Sequence, residues 1–226
     1  MVIVHHQGST VMPATLKLRW YNRAMPTRYF IPTGPARTES MARNSRFIAT
    51  IDHTPTVDAA KALVVSVRAA FPDATHHVHG YVVGYGASVM EGMSDDGEPS
   101  GTAGRPVLAV VRGSGLGDLC VVVTRYFGGT LLGTGGLVKA YGDAAKSVLA
   151  VVGRVEKIEQ ISVALTVPYS AYDSAKLWIA AHHGVVNDET FAADVRLALT
   201  LPVDDLAAFR ATVQDRTNGQ VLVEEA

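Results

Sequence analysis

Residues 94–146 hold 12 of the 21 glycines in a chain of 226. Glycine is costly to order and brings no side chain to bury, so this density belongs where backbone must turn left-handed or approach something closely. The same stretch carries the acids Asp95, Asp96 and Glu98, the pair Arg125-Tyr126, and the turns Gly128-Gly129 and Gly133-Thr134-Gly135-Gly136. Two readings follow: tight turns of a compact α/β core, or loops that cradle an anion or a backbone.

The rest of the chain narrows the setting. Apolar residues make up 48% and charged residues 18%, which places it among globular proteins. No apolar run reaches 18 residues, and no secretory leader pattern opens the chain, so a cytoplasmic protein without a membrane contact is expected. The one cysteine, Cys120, sits in an apolar run and reads as a buried strand residue. The net charge of −1 hides an asymmetry: residues 1–44 carry six basic side chains against one acid, and residues 154–226 carry six against eleven. Nucleic-acid binding is largely phosphate neutralisation, so a near-neutral chain needs a local basic patch for it.

Residues 1–27 have no helical or strand period and read as a disordered tail or an over-extended start, with Met12 and Met25 as alternative beginnings. Residues 28–44 read as an irregular lead-in. Strands are predicted over 46–51, 75–84 and 119–126, the last as a buried β-branched run. Helices are predicted from Thr56 to about 70, over 105–112 with Pro106 in its first turn, and over 137–152. Residues 86–94 and 128–136 are expected to be loops. Beyond Gly153 the pattern becomes β-α-β-β-α-β: strands 157–168, 184–187, 190–201 and 219–223, helices 170–182 and 203–214, and a turn at Asp188-Glu189. That order in about 70 residues predicts a ferredoxin-like sandwich. Its sheet offers only Phe191 as a central aromatic, so a structural or partner-binding module suits it better than an RNA-reading one.

The words SDDGEPSGTAGRPVL and TRYFGGTLLGTGGLVKAY, with Ser45-Arg46-Phe47-Ile48 and Ala74-Thr75-His76 before them, resemble the Impact/YigZ family. His77-Val78 stands where members often have Asn-Cys, and Gly80 where they often have Ala. The resemblance implies an α+β fold of two domains. The first, over 28–153, is of the ribosomal-protein-S5-domain-2-like type with a left-handed βαβ crossover. The second, over 154–226, is ferredoxin-like and similar to the last domain of elongation factor G. Eukaryotic members regulate translation by protein binding through a further domain that this sequence lacks. For bacterial members the resemblance implies no firm activity.

The candidate residues support two functions. The leading expectation is a non-enzymatic, translation-associated protein without a cofactor. It would contact RNA, the ribosome or a translation factor through Arg105, Arg125, Tyr126, Gly128, Gly129, Gly133, Gly135, Gly136 and Lys139. The turns at 101–104 and 133–136 each open a helix and can offer backbone N–H groups to phosphate. A protein partner through the C-terminal domain is also allowed. The alternative is a magnesium-assisted enzyme acting on a phosphorylated small molecule or nucleotide, with His76, Asp95, Asp96 and Glu98 as catalytic candidates and Asp95 and Asp96 as weak metal ligands. Against it, the acids can cap the helix near Thr102, or pair with Arg105 and Arg125. His77 and His79 share a strand face opposite His76 and lack a fixed third ligand. His76 is expected to bond the acidic loop.

Overall fold

The computed structural model describes residues 28–85 and 89–225, so the 1–27 tail lies outside the described residues. Eleven strands and five α-helices follow in order among them. The segment read as a lead-in forms two strands, β1 (Arg28–Pro32) and β2 (Ala36–Ala42). Then come β3 (Ser45–His53), α1 (Val57–Ala70), β4 (His76–Val83), β5 (Met90–Ser94), α2 (Gly104–Arg112), β6 (Leu119–Tyr126) and α3 (Gly133–Val151). The chain continues as β7 (Arg154–Ile158), β8 (Gln160–Val167), α4 (Tyr172–Ala181), β9 (Val185–Phe191), β10 (Val195–Pro202), α5 (Leu206–Arg216) and β11 (Val223–Glu225).

Strands β2-β3-β6-β4-β5 form one sheet in which every neighbouring pair is antiparallel. Its centre is β6, whose unbroken apolar run reflects burial on both faces. Val121 and Val123 point into the main core with α2 and α3, while Cys120 and Val122 pack beneath α1. Helix α1 starts where Thr56 Oγ1 accepts the Ala59 amide at 3.1 Å, and it buries Ala60 and Val67, with Leu63 packed beside them. Gly80 is what lets α2 rest on β4: a Cβ there would sit 2.9 Å from the Leu108 backbone nitrogen. Burial holds the Cys120 thiol up at about 12, so it is an inert packing group.

Strands β11-β8-β10-β9 form a second antiparallel sheet, and with α4 and α5 they complete the ferredoxin-like order. Leu165, Leu197, Leu199, Ile179, Phe209 and Val213 fill its core. The strand expected over 157–168 is broken at Glu159, between β7 and β8. The turn expected at Asp188-Glu189 falls instead at Ala192-Ala193-Asp194, and β9 runs straight through the two acids. Glu189 is held there by Tyr172 Oη (2.5 Å) and Lys176 Nζ (3.1 Å) from α4. Phe191 ends the edge strand β9 beside Tyr169 and Tyr172, not at the sheet centre.

β7 returns to pair with β1, Arg28 opposite Ile158 through Pro32 opposite Arg154. Asp118 fastens this ribbon. Its carboxylate accepts from Lys157 Nζ (2.6 Å), Tyr29 Oη (2.9 Å) and the Gly84 amide (2.7 Å) while almost wholly buried. Burial pushes its pKa up, but these three donors outweigh that and hold it below the usual aspartate value.

Candidate functional site

The main sheet's inward rows are apolar until its last one. Ile51, Val121 and Gly80 lie abreast, then Ala49, Val123 and Val78. The next row is Phe47, Arg125 and His76, at the sheet end where the acidic loop, the β2–β3 hairpin and the loop before α3 meet. The period-two alternation of a strand places Arg125 inward, in line with its valines. It is only 4% exposed, with its guanidinium carbon 5.6 Å from the Phe47 ring centre and 5.4 Å from that of Phe127.

Of the three acids offered as partners for Arg125, the structure pairs it with Glu98 and not with Asp95 or Asp96. Nη1 donates to Glu98 Oε1 at 2.6 Å and Nη2 to Ser45 Oγ at 3.1 Å. Tyr141 Oη donates to the same Glu98 oxygen at 2.7 Å. Burial, then this bond to a carboxylate, drives the Tyr141 pKa far above its ordinary value. His76 Nε2 lies 3.8 Å from Glu98 Oε1, and its Nδ1 bonds the Asp96 carbonyl at 2.8 Å, the expected link to the acidic loop.

The other acids are turned to structural work. Asp95 accepts the amides of Gly101 (2.8 Å), Ala103 (3.0 Å) and Gly104 (2.8 Å), capping α2 from a distance. Burial raises its pKa, and the three amide bonds more than reverse this, leaving it lowered. The first glycine turn thus spends its N–H groups on Asp95. Asp96 accepts the His77 amide (2.5 Å) and Arg68 Nη2 (2.7 Å), and its pKa is also lowered against the effect of burial. The three carboxylates do not converge, and no group of three or more His, Cys, Asp or Glu side chains among the described residues is placed to hold a metal. His77 and His79 face α1, where burial lowers both pKa values.

The second glycine turn is different. Gly133–Gly136 is not a loop but the first turn of α3, and Leu132 before it makes no capping side-chain bond. Gly128 is fixed by packing, since a Cβ there would lie 1.8 Å from the Asn44 carbonyl oxygen. Gly129 and Gly133 take φ of +78° and +72°. Gly135 has neither excuse: its φ is not positive, and nothing lies within 4 Å of where its Cβ would be.

Between this turn and the Glu98 network opens a cleft of about 400 Å³. Its walls are Pro99, Phe127, Leu131, Leu132 and Leu137; its floor holds His76, Glu98 and Arg125; Gly133 and Thr134 form one end. Phe127 and Leu131 are 45% and 79% exposed, an apolar lip at the mouth. Arg43 from the hairpin holds the Leu131 carbonyl at 2.5 Å. Of the other predicted residues, Tyr126 bonds Asp73 beside Arg46, Lys139 pairs along α3 with Asp143, and Arg105 is exposed near Asp95; none of the three lines the cleft. Ser45 and Tyr141 were missed. Tyr141 sits in the apolar stripe of α3, where only its hydroxyl hints at a polar partner.

The architecture defines a two-unit α+β protein with a ligand-sized cleft at one end of its antiparallel sheet. Family models agree: the Impact N-terminal domain matches residues 43–149, and a domain of unknown function, DUF1949, matches residues 165–220. IMPACT family member YigZ of Escherichia coli K12 is 40% identical over 194 residues, covering 85% of this chain and 95% of that protein. IMPACT family member YvyE of Bacillus subtilis 168 is 30% identical over 197 residues, covering 87% and 90%. A crystal structure titled as a hypothetical protein superposes with a TM-score of 0.65 at 39% identity, covering 88% of this chain and 97% of that one. The chain belongs to the IMPACT family. No helix among the described residues is long and apolar enough to cross a membrane.

Proposed function

We propose that this chain is a translation-associated binding protein that holds single-stranded RNA in the cleft. A phosphate sits at the open first turn of α3, and an unstacked base lies against Phe127 and Leu132. The observation that carries this reading is Gly135. A helical glycine in open space is less favourable than alanine by about 1 kcal/mol, and a first turn with glycine at three of its four positions lets an anion reach backbone N–H groups. The apolar, aromatic lip suits a base, since stacking on aromatic rings is how single strands are gripped without sequence preference. Exposed Arg43 at the same sheet end supplies local positive charge, whereas Arg46 beside it is paired with Glu39.

The test is fluorescence anisotropy of a labelled heptauridylate at 50 and 200 mM salt. The parent chain binds, more weakly at the higher salt. Thr134→Glu puts a carboxylate at the helix N-terminus, which favours the helix but repels phosphate, so binding falls about tenfold without loss of folding. Absence of binding by the parent chain at low salt, to heptauridylate and to a mixed-sequence heptamer alike, sinks the reading.

A second reading is favoured by the approach of His76 to Glu98: an acid–base enzyme acting on a phosphorylated small molecule. It predicts turnover in a panel of phosphorylated metabolites that disappears in His76→Ala. Asp95 and Asp96, engaged by backbone amides and Arg68, are not available to it as a magnesium pair.

A further inference from the structure

The floor of the cleft offers hydrogen-bond acceptors, while Arg125 Nε, a donor without a partner, is sealed from solvent. The Glu98 side chain is 4% exposed, and its Oε1 takes both Arg125 Nη1 and Tyr141 Oη. Its other oxygen, Oε2, has no partner among the described residues, and it is not among the sealed polar atoms, so it opens onto the cleft that Glu98 lines. His76 supplies the second acceptor. Its Nδ1 faces the Asp96 carbonyl, which only accepts, so Nδ1 carries a hydrogen, and in the tautomer this selects Nε2 presents a lone pair. That nitrogen is 3.8 Å from Glu98 Oε1, too far for a hydrogen bond between them. Two acceptors thus share the floor, one of them on a buried carboxylate, between apolar walls.

We propose that the cleft selects guanine, with its N1–H and N2–H groups donating to Glu98 Oε2 and His76 Nε2. This rests on the RNA reading above and names the base that occupies the site. Hydrogen-bonding edges separate the four bases. Guanine has two adjacent donors on its Watson–Crick edge. Adenine and cytosine place a ring-nitrogen acceptor beside their single amino group, and uracil flanks its one N–H with carbonyl oxygens; each turns an acceptor toward Glu98 or His76. A site with unmatched buried polar groups rejects such ligands strongly. The phosphate of the same nucleotide then falls toward Gly133 and Thr134 at the other end.

The experiment varies the RNA, so protein folding is not in question. Heptamers of uridine carry guanosine, adenosine, inosine or 7-deazaguanosine at the centre, and anisotropy reads the affinity of the parent chain. The guanosine heptamer binds about tenfold tighter than heptauridylate, in the range of one bidentate base contact. Inosine, which lacks the N2 amine, loses most of that gain, and 7-deazaguanosine, altered only on the opposite edge, keeps it. His76→Ala and Glu98→Gln each compress the difference between guanosine and uridine. Equal binding of the guanosine and uridine heptamers overturns the guanine assignment and leaves the RNA reading standing. Binding of no heptamer overturns both.

Discussion

The two halves of this molecule solve the same packing problem in opposite ways. Every buried polar or charged side chain among the described residues lies between Ser45 and Arg125, including Glu98, Asp118 and Arg125. The sandwich from β8 to β11 buries only apolar ones. Burying an ion pair seldom stabilises a fold relative to a hydrophobic fill. The first half accepts that cost twice, at the cleft with Glu98 and Arg125 and at the β1–β7 ribbon with Asp118; the second has no such pair and spends its interior on packing alone.

The comparison can be broken most directly at its two centres. Glu98→Ala strands the Arg125 guanidinium and is expected to cost about 3–5 kcal/mol, read by urea unfolding. Phe209→Ala, which only empties space in the sandwich, costs about 3–5 kcal/mol by cavity formation. The halves part company on rescue. Glu98→Leu combined with Arg125→Met returns stability to about the parent level, yet RNA binding is lost. If the double variant is as unstable as Glu98→Ala, the buried pair is itself a stabilising element and the contrast is wrong.

Smaller changes sharpen the contrast. Tyr141→Phe removes one hydrogen bond to a charged group and lowers stability by about 1.5–3 kcal/mol. Gly135→Ala moves the two readouts apart: calorimetry gains about 1 kcal/mol, while anisotropy shows weaker RNA binding. A variant that gains both stability and affinity removes the reason for the glycine. The smallest effect is in pH. His77 and His79 have folded pKa values lowered by burial, so the unfolded chain takes up protons first. Their contribution is fully present above the ordinary histidine value of about 6.5 and is lost as pH falls toward the folded values. The melting temperature therefore drops between pH 8 and 5, and His79→Leu makes that slope shallower.

What could be read from the sequence follows the same division. β6 was legible to the residue, because a strand buried on both faces writes itself as Leu-Cys-Val-Val-Val. β2 and β5 were not: they are the sheet's edges, and ARTESMA and MEGMS carry little apolar signal. Asp188-Glu189 resembled a turn because acids commonly sit there, but α4 supplies Tyr172 and Lys176 to hold Glu189 within a strand. The site residues were visible as types, whereas their pairing was not. Glu98, Arg125 and Tyr141 meet only through the sheet register and the placement of α3, and neither is encoded in local spacing.

The β1–β7 ribbon sets where the chain can be cut. The Impact N-terminal match ends at residue 149, yet Asp118 depends on Lys157 and β1 depends on Arg154–Ile158. A fragment stopped at 153 would leave β1 without its antiparallel partner and held by a single bridge between Phe30 and Leu116, an open edge that invites pairing with another molecule, and a buried carboxylate missing its cation. Extending the fragment by the five residues of β7 closes the edge and neutralises the charge at once. For protein made on a ribosome, β1 waits for its antiparallel partner until some 130 residues after it have emerged, so the last act of assembling the first unit is carried out by the linker to the second.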